Sequence, residues 1–229
     1  MAKLKLVTIP VTPFQQNCAL LWEETTGRGA VIDPGGEAPR IRDAVRAQGV
    51  TVEQILLTHG HLDHAGGANE LRDLLAAEGQ AVPIVGPDRR DAFLLEGISA
   101  QARAYGIPGL ANATPDRWLE EGDQVAIGGV RFDVLHCPGH TPGHVVFAAP
   151  TLRLAILGDV LFAGSIGRTD FPYGDHDALL RAIADKVLPL GDDVRFLCGH
   201  GPASTIGEER RSNPFLQDLR PGTGPAPGA

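Results

Sequence analysis

Apolar and polar positions fall into two batches of strand-like segments, each accompanied by helix-like ones. In the first batch "LKLVTIPV" (4–11) and "NCALLWEE" (17–24) read as strands, and "GAVIDPGG" (29–36) as a short strand ending in a turn. "APRIRDAVRAQG" (38–49) predicts a helix, with Ile41 and Val45 one turn apart and a stop at Gly49. "VEQILLTH" (52–59) is a continuous apolar run, so it predicts a buried strand. "GGANELRDLLAAEG" (66–79) places Leu71, Leu74 and Leu75 on one helical face and stops near Gly79, and "VPIVG" (82–86) is a short strand.

Residues 87–117 change character. Their helical periodicity is partial and interrupted by breakers, which predicts an insertion or lid outside the sheets. The second batch follows: strands at "DQVAIGG" (123–129), "VRFDVLHC" (130–137), "HVVFAAP" (144–150) and "RLAILGDV" (153–160). An amphipathic helix is predicted at "HDALLRAIADKVLPL" (176–190), then a last strand at "VRFLCGHG" (194–201). The Gly/Pro/Ala-rich end from Leu219 has little to bury, so residues 1–218 are expected to form one domain and 219–229 a disordered tail. Two mixed sheets facing each other, with helices outside, satisfy both batches. A single doubly wound sheet needs more regular alternation of strand and helix.

Composition narrows the function classes. The chain has 229 residues and a formal net charge of −8, without the basic stripes of a nucleic-acid binder. No apolar stretch approaches the ~18 residues of a membrane span, and the N-terminus is too polar for a signal peptide. Cys18, Cys137 and Cys198 are too few and too scattered for a disulfide framework. A cytoplasmic protein is expected, with neither nucleic acid nor membrane as partner; the pattern leaves its oligomeric state open.

The candidate chemistry lies at strand ends. "THGHLDH" (58–64) gathers His59, His61, Asp63 and His64 within six positions. A two-residue spacing suits a loop leaving a strand, where His59 and His61 turn to one point; Asp63 and His64 face a second. Later strands end at His140 in "HTPGH", Asp159 in "LGDV" and His200 in "CGHG", each near glycine that permits close approach. Imidazoles with one carboxylate suit zinc, iron or manganese. His136 and His144 are expected to play supporting roles and His176 a surface or capping one. Cys137 and Cys198 are expected to pack as small hydrophobes. The near-match "AGSIG" around Ser165 lacks the first glycine and the strand-to-helix setting of a nucleophile elbow.

Taken together, "THGHLDH", "CPGHTPGH", "LGDV" and "CGHG", in that order, resemble the metallo-β-lactamase-fold hydrolases. Within them the chain is similar to the glyoxalase II (hydroxyacylglutathione hydrolase) group, and to its short YcbL-type members. "GDVLFAGSIGRTDFPYGDHDAL" and "GEERRSNPFLQD" carry that closer likeness. The resemblance implies an α/β fold, a four-layer αββα sandwich, with two divalent metal ions, zinc first and iron or manganese as alternatives. It implies His59, His61, His140 and Asp159 at one metal, and Asp63, His64, His200 and the bridging Asp159 at the other.

The implied reaction is hydrolysis of S-D-lactoylglutathione or a related acyl-glutathione, a small-molecule thioester. A shared hydroxide of lowered pKa attacks, and Asp63 orients it. Arg168, and Tyr173 at the rim, are the implied substrate contacts; an ion pair of Arg168 with Asp170 or Asp175 competes with that role. The chain after His200 is too short for the helical C-terminal region of longer glyoxalase II enzymes, so residues 87–117 are expected to replace that wall. The resemblance leaves two alternatives: a mono-iron persulfide dioxygenase using His59, His140 and Asp159, and another hydrolase of the fold such as a lactonase.

Overall fold

The computed structural model describes residues 3–217 and 219. Of the tail expected at 219–229, Leu219 instead packs against the apolar core under the second sheet, and 220–229 lie outside the described residues. Leu4–Val11 (β1), Gln16–Glu23 (β2), Arg28–Ile32 (β3), Thr51–Leu56 (β4) and Ile84–Val85 (β5) form a five-stranded sheet in that order. β1, β2 and β3 pair antiparallel, whereas β3, β4 and β5 pair parallel. The second sheet contains Gln124–Ile127 (β6), Val130–His136 (β7), Val145–Ala149 (β8) and Leu154–Gly158 (β9). A small hairpin, Leu161–Phe162 (β10) with Ser165–Ile166 (β11), separates these from Arg195–Cys198 (β12) and Ser204–Thr205 (β13). The six strands run in the order β13-β12-β9-β8-β7-β6, with β12 and β9 parallel and the other pairs antiparallel.

Strand alternation divides the apolar residues into three layers. Ala19, Leu21, Ile32 and Leu56 point from the first sheet toward Val134, Val145, Phe147, Ile156 and Leu197 of the second. Their neighbours point outward. Leu20, Val31 and Ile55 meet Ile41 and Val45 of Ala38–Gln48 (α1), and Leu71 and Leu75 of Ala68–Ala77 (α3). Val146, Ala155, Leu157 and Phe196 meet Leu179 of His176–Ala182 (α5) and the Ile183 and Val187 that follow. Two inner faces and two helix-covered outer faces make the four-layer αββα sandwich that the sequence pattern anticipates. Each fully buried large side chain, such as Phe132 or Phe147, contributes about 2–3 kcal/mol of hydrophobic stabilisation.

Three elements depart from the pattern. The helix expected at 66–79 is preceded by a separate four-residue turn of helix, Leu62–Ala65 (α2), which already holds Asp63 and His64. Residues 87–117 are not a loose lid: Ala92–Tyr105 (α4) buries Leu94, Leu95, Ile98 and Ala102. That helical spacing places Leu95, Ile98 and Ala102 in the same core as α1 and α3. The helix expected over 176–190 changes gauge. It widens to a π-helical turn at Ile183–Val187 and tightens to a 3-10 turn at Leu188–Leu190, where Pro189 supplies no N–H. A further helix, Ile206–Ser212 (α6), is capped by the Thr205 hydroxyl.

Candidate metal centre

Strands β7, β9 and β12 run in one direction, as do β3 and β4, and their C-terminal ends meet at one rim. His59 and His61 leave β4, His140 follows β7, Asp159 follows β9 and His200 follows β12. Asp63 and His64 ride on α2.

Three ring nitrogens converge at one point. His61 Nδ1 lies 3.1 Å from His59 Nε2 and 3.0 Å from His140 Nε2. The opposite nitrogens are committed elsewhere. His59 Nδ1 faces the Thr58 hydroxyl at 3.1 Å. His140 Nδ1 donates to the Arg168 carbonyl at 2.8 Å. His61 Nε2 meets the Tyr173 hydroxyl at 2.9 Å. With their protons on those outer nitrogens, the three rings turn lone pairs toward each other. Such an arrangement is repulsive unless a cation lies between them. A tetrahedral zinc with bonds of about 2.0–2.1 Å holds its nitrogens roughly 3.3–3.4 Å apart, close to the observed separations.

A second cluster adjoins the first. His200 Nε2 is 3.3 Å from Asp63 Oδ2, and His64 Nε2 is 3.9 Å from the same oxygen. Asp159 stands between the two groups: its Oδ1 is 3.4 Å from His64 Nε2, and its Oδ2 is 3.4 Å from His140 Nε2 and 3.6 Å from His200 Nε2. His64 Nε2 and Asp159 Oδ1 are both buried without a hydrogen-bond partner. Leaving such groups unpaired costs about 1–3 kcal/mol each, so the pair fits a site completed by a cation. A Cβ at residue 199 would lie 2.0 Å from Asp159 Oδ1, which explains the glycine there.

Electrostatics follow the same division. Burial, reinforced by the neighbouring rings, holds His59 far below the ordinary histidine range and His61 at about 3. Burial also lowers His140. Burial alone would depress His64, but the Asp159 and Asp63 carboxylates overcome it and raise the ring well above its usual value. For Asp159, burial opposes ionisation and the imidazoles of His64, His140 and His200 outweigh it, so its carboxyl is held well below the usual range.

A cavity of roughly 410 Å3 opens over both clusters and is lined by His61, Asp63, His140, Asp159 and His200. Phe14, Tyr105, Phe162 and Phe171 complete much of its apolar wall. Arg168 reaches it with a guanidinium already paired to Asp170 through two hydrogen bonds of 2.7 and 2.8 Å. The same group lies 4.4 Å over the Phe171 ring.

Against known proteins, residues 11–200 match the model of the metallo-beta-lactamase superfamily. The chain belongs to the metallo-β-lactamase superfamily. It is 46% identical over 214 residues to "Hydroxyacylglutathione hydrolase GloC" of Haemophilus influenzae, covering 93% of this chain and 98% of that protein. Among solved structures it is similar to the B3 metallo-beta-lactamase BLEG-1, with a TM-score of 0.83 and 35% identity. That match covers 93% of this chain and all (100%) of the other. It is also similar to TTHA1623 in a di-iron-bound form, with a TM-score of 0.81 and 37% identity over 92% of this chain and 100% of that one. This member of the metallo-β-lactamase superfamily is a metallo-hydrolase with a His/Asp site suited to metal.

The remaining sequence candidates separate cleanly. His144 Nε2 accepts the Asp159 backbone N–H at 3.0 Å while its ring stacks on His59, a supporting role. His136 donates to the Pro142 carbonyl at 2.8 Å, away from the cluster. Cys137 and Cys198 are buried and form no disulfide, with burial pushing their thiols up to about 12 and about 11.

Sequence reasoning missed two buried carboxylates of this superfamily member. Asp33 accepts from His64 Nδ1 at 2.9 Å, the Thr58 hydroxyl at 2.6 Å and the Thr58 N–H at 2.7 Å. Asp91 accepts from the Gly60 N–H at 2.9 Å, the Thr141 hydroxyl at 2.7 Å and the Gly143 N–H at 2.5 Å. The signal for Asp33 was its place at a strand end. Asp91 sat in the stretch expected to be an insertion. Among the described residues, no helix is long and apolar enough to cross a membrane.

Proposed function

We propose that this metallo-hydrolase is a thioesterase of the glyoxalase II kind, acting on S-D-lactoylglutathione or a related acyl-glutathione. The observation that carries the reading is the pair of adjoining clusters sharing Asp159, whose Oδ1 and the facing His64 Nε2 are buried and unpaired. His59, His61 and His140 would hold one divalent cation and Asp63, His64 and His200 the other, with Asp159 common to both. Zinc suits this donor set, and iron or manganese is also accepted. Two bound cations supply a Lewis acid for the thioester carbonyl and a water of lowered pKa.

The chain's own residues do the rest. Burial opposes ionisation of Asp63, but its His64 and His200 partners outweigh that cost and keep it a carboxylate. It therefore accepts a hydrogen bond and orients the attacking oxygen. Tyr173 stays a neutral phenol, pushed up to about 12 chiefly by burial. While its oxygen accepts from His61, its proton is free to donate to substrate in the cavity. Arg168 keeps part of its guanidinium beyond Asp170, and that part pairs with a carboxylate of the thiol carrier. Gln101 and Tyr105 of α4 line the cavity beside the site, which supports residues 87–117 as the wall that would contact the thiol carrier. The leaving thiolate has a conjugate acid of pKa ~8.5 and departs without an acid to protonate it. The reading places the enzyme in the cytoplasm, where unpaired thiols such as Cys18, Cys137 and Cys198 persist.

The name of the Haemophilus influenzae relative supports the choice of thioester, and the aromatic cavity with a single guanidinium at its edge is compatible with it. The direct test runs two assays on the metal-loaded protein: S-D-lactoylglutathione hydrolysis, and oxygen uptake with glutathione persulfide. Thioester cleavage without oxygen uptake supports the proposal. Oxygen uptake without thioester cleavage replaces it with the dioxygenase reading.

A further inference from the structure

We propose that Asp91 is a positioning residue: a buried clasp that fixes the His59–His61 loop against the His140 loop, and so sets the first cation site.

Asp91 immediately precedes α4, where a short polar side chain ordinarily caps its own helix. Here it does not; no hydrogen bond runs from its carboxylate to the α4 backbone. The group turns away and spends both oxygens on two other segments. Oδ2 accepts from Gly60 N–H, between His59 and His61, and from the Thr141 hydroxyl, next to His140. Oδ1 accepts from Gly143 N–H at the end of that second loop. The residue is completely buried. One carboxylate thus joins two loops that are far apart in the chain.

The glycines on either side give independent support. A Cβ at residue 60 would lie 2.8 Å from Leu94 Cβ and 3.0 Å from the Asp91 carbonyl. A Cβ at residue 143 would lie 2.7 Å from Asp91 N and 2.8 Å from its Cγ. Both loops are bare of side chains where the turn carrying Asp91 presses between them. The Gly143 carbonyl also receives the Asp88 N–H at 3.1 Å, so the turn grips that loop from its backbone too. Asp91 makes no hydrogen bond to Asp63, His64 or His200, so the clasp acts on one cluster and not on the other.

The inference rests on the reading that the first cluster holds a cation, but not on the identity of the substrate. The experiment titrates cobalt(II) into the metal-free wild type and the D91N variant, competing against a chelating dye. The two binding steps are identified beforehand as those lost in His140→Ala and His200→Ala. In parallel, amide exchange of Gly60 and Gly143 is followed in the metal-free proteins. Asn keeps the shape of Asp but turns an N–H2 toward a donor. D91N is therefore expected to weaken the His140-dependent step about tenfold or more, by analogy with other groups that orient ligands. The His200-dependent step is expected to stay unchanged, and both glycine amides to exchange faster.

Equal weakening of both steps, or no change in either, overturns the clasp. Should D91N fail to fold, Gly143→Ala decides, because its Cβ displaces the carboxylate while leaving it in the chain. The same selective weakening is expected there, and its absence overturns the proposal. A wild type that binds no cation sinks the metal reading instead, and the glycine exchange rates then test the clasp alone.

Discussion

The Tyr173 hydroxyl lies 2.9 Å from Nε2 of His61, so the rim of the cavity is tied directly to a ring whose other nitrogen joins the first cluster. Tyr173 also stacks on Phe171 and meets Phe93 of α4 edge-on. Tyr173→Phe preserves that packing and removes only the hydroxyl. The expected result is a fall of about tenfold in kcat or in first-site metal affinity, with unfolding temperature little changed.

Asp33 orients His64 as Tyr173 orients His61, but from a fully enclosed position. Asp33→Ala leaves His64 Nδ1 and two Thr58 donors without their acceptor. A loss of roughly 2–5 kcal/mol is expected in denaturant unfolding of the metal-free protein. Second-site metal affinity is expected to fall with it.

Acid should destabilise the metal-free protein. Burial lowers His59, His140 and His144, and holds His61 at about 3, so all four are kept neutral when folded. The unfolded chain takes up protons on these rings near pH ~6.5, so this contribution is complete above that pH and is lost as pH falls toward the folded values. His64 and His200 act in the opposite sense. Burial pulls both down, but Asp63 and Asp159 outweigh it and raise them, so their contribution is present below pH ~6.5 and lost as pH rises. The two effects occupy different windows, so below pH ~6.5 the four depressed rings set the trend. Thermal unfolding of the metal-free protein should show a melting temperature falling steadily from about pH 6.5 to 4.5. A melting temperature that rises over that range contradicts this balance.

Arg168 and Asp170 set the charge at the mouth of the cavity. Asp170→Asn frees the guanidinium, and the KM for a carboxylate-bearing thioester is expected to fall. Arg168→Ala is expected to raise that KM about tenfold, in line with the loss of one charged hydrogen bond, with kcat nearly constant. A neutral thioester should feel neither change, and steady-state kinetics on the two substrates separates the cases.

The ligand-bearing loops were legible in the sequence because chemistry and topology coincide there. His59, His61, Asp63 and His64 crowd one strand end, and His140, Asp159 and His200 each follow an apolar run that stops at the same rim. The two sheets were legible as two batches of strand-like apolar segments, each with its helices, and the three apolar layers match that division; which face each side chain takes is set by the fold. The supporting carboxylates were not. Asp33 and Asp91 look like ordinary turn or cap residues, and only the fold brings Thr58, His64, Gly60 and Gly143 to them. The two-residue strands β10, β11 and β13 exist through pairing with distant or adjacent segments, so no local periodicity announces them. Residues 87–117 hid a core helix because glycine and alanine dilute the apolar face of α4.

A thioesterase that needs both clusters is expected to be active only when both are loaded with metal. Metal-free protein would receive zinc in measured equivalents while S-D-lactoylglutathione hydrolysis is followed. Activity is expected to climb until two equivalents per chain are bound, and His200→Ala is expected to bind one and remain inactive. Full hydrolysis at one equivalent, undiminished in His200→Ala, would contradict a two-cation thioesterase.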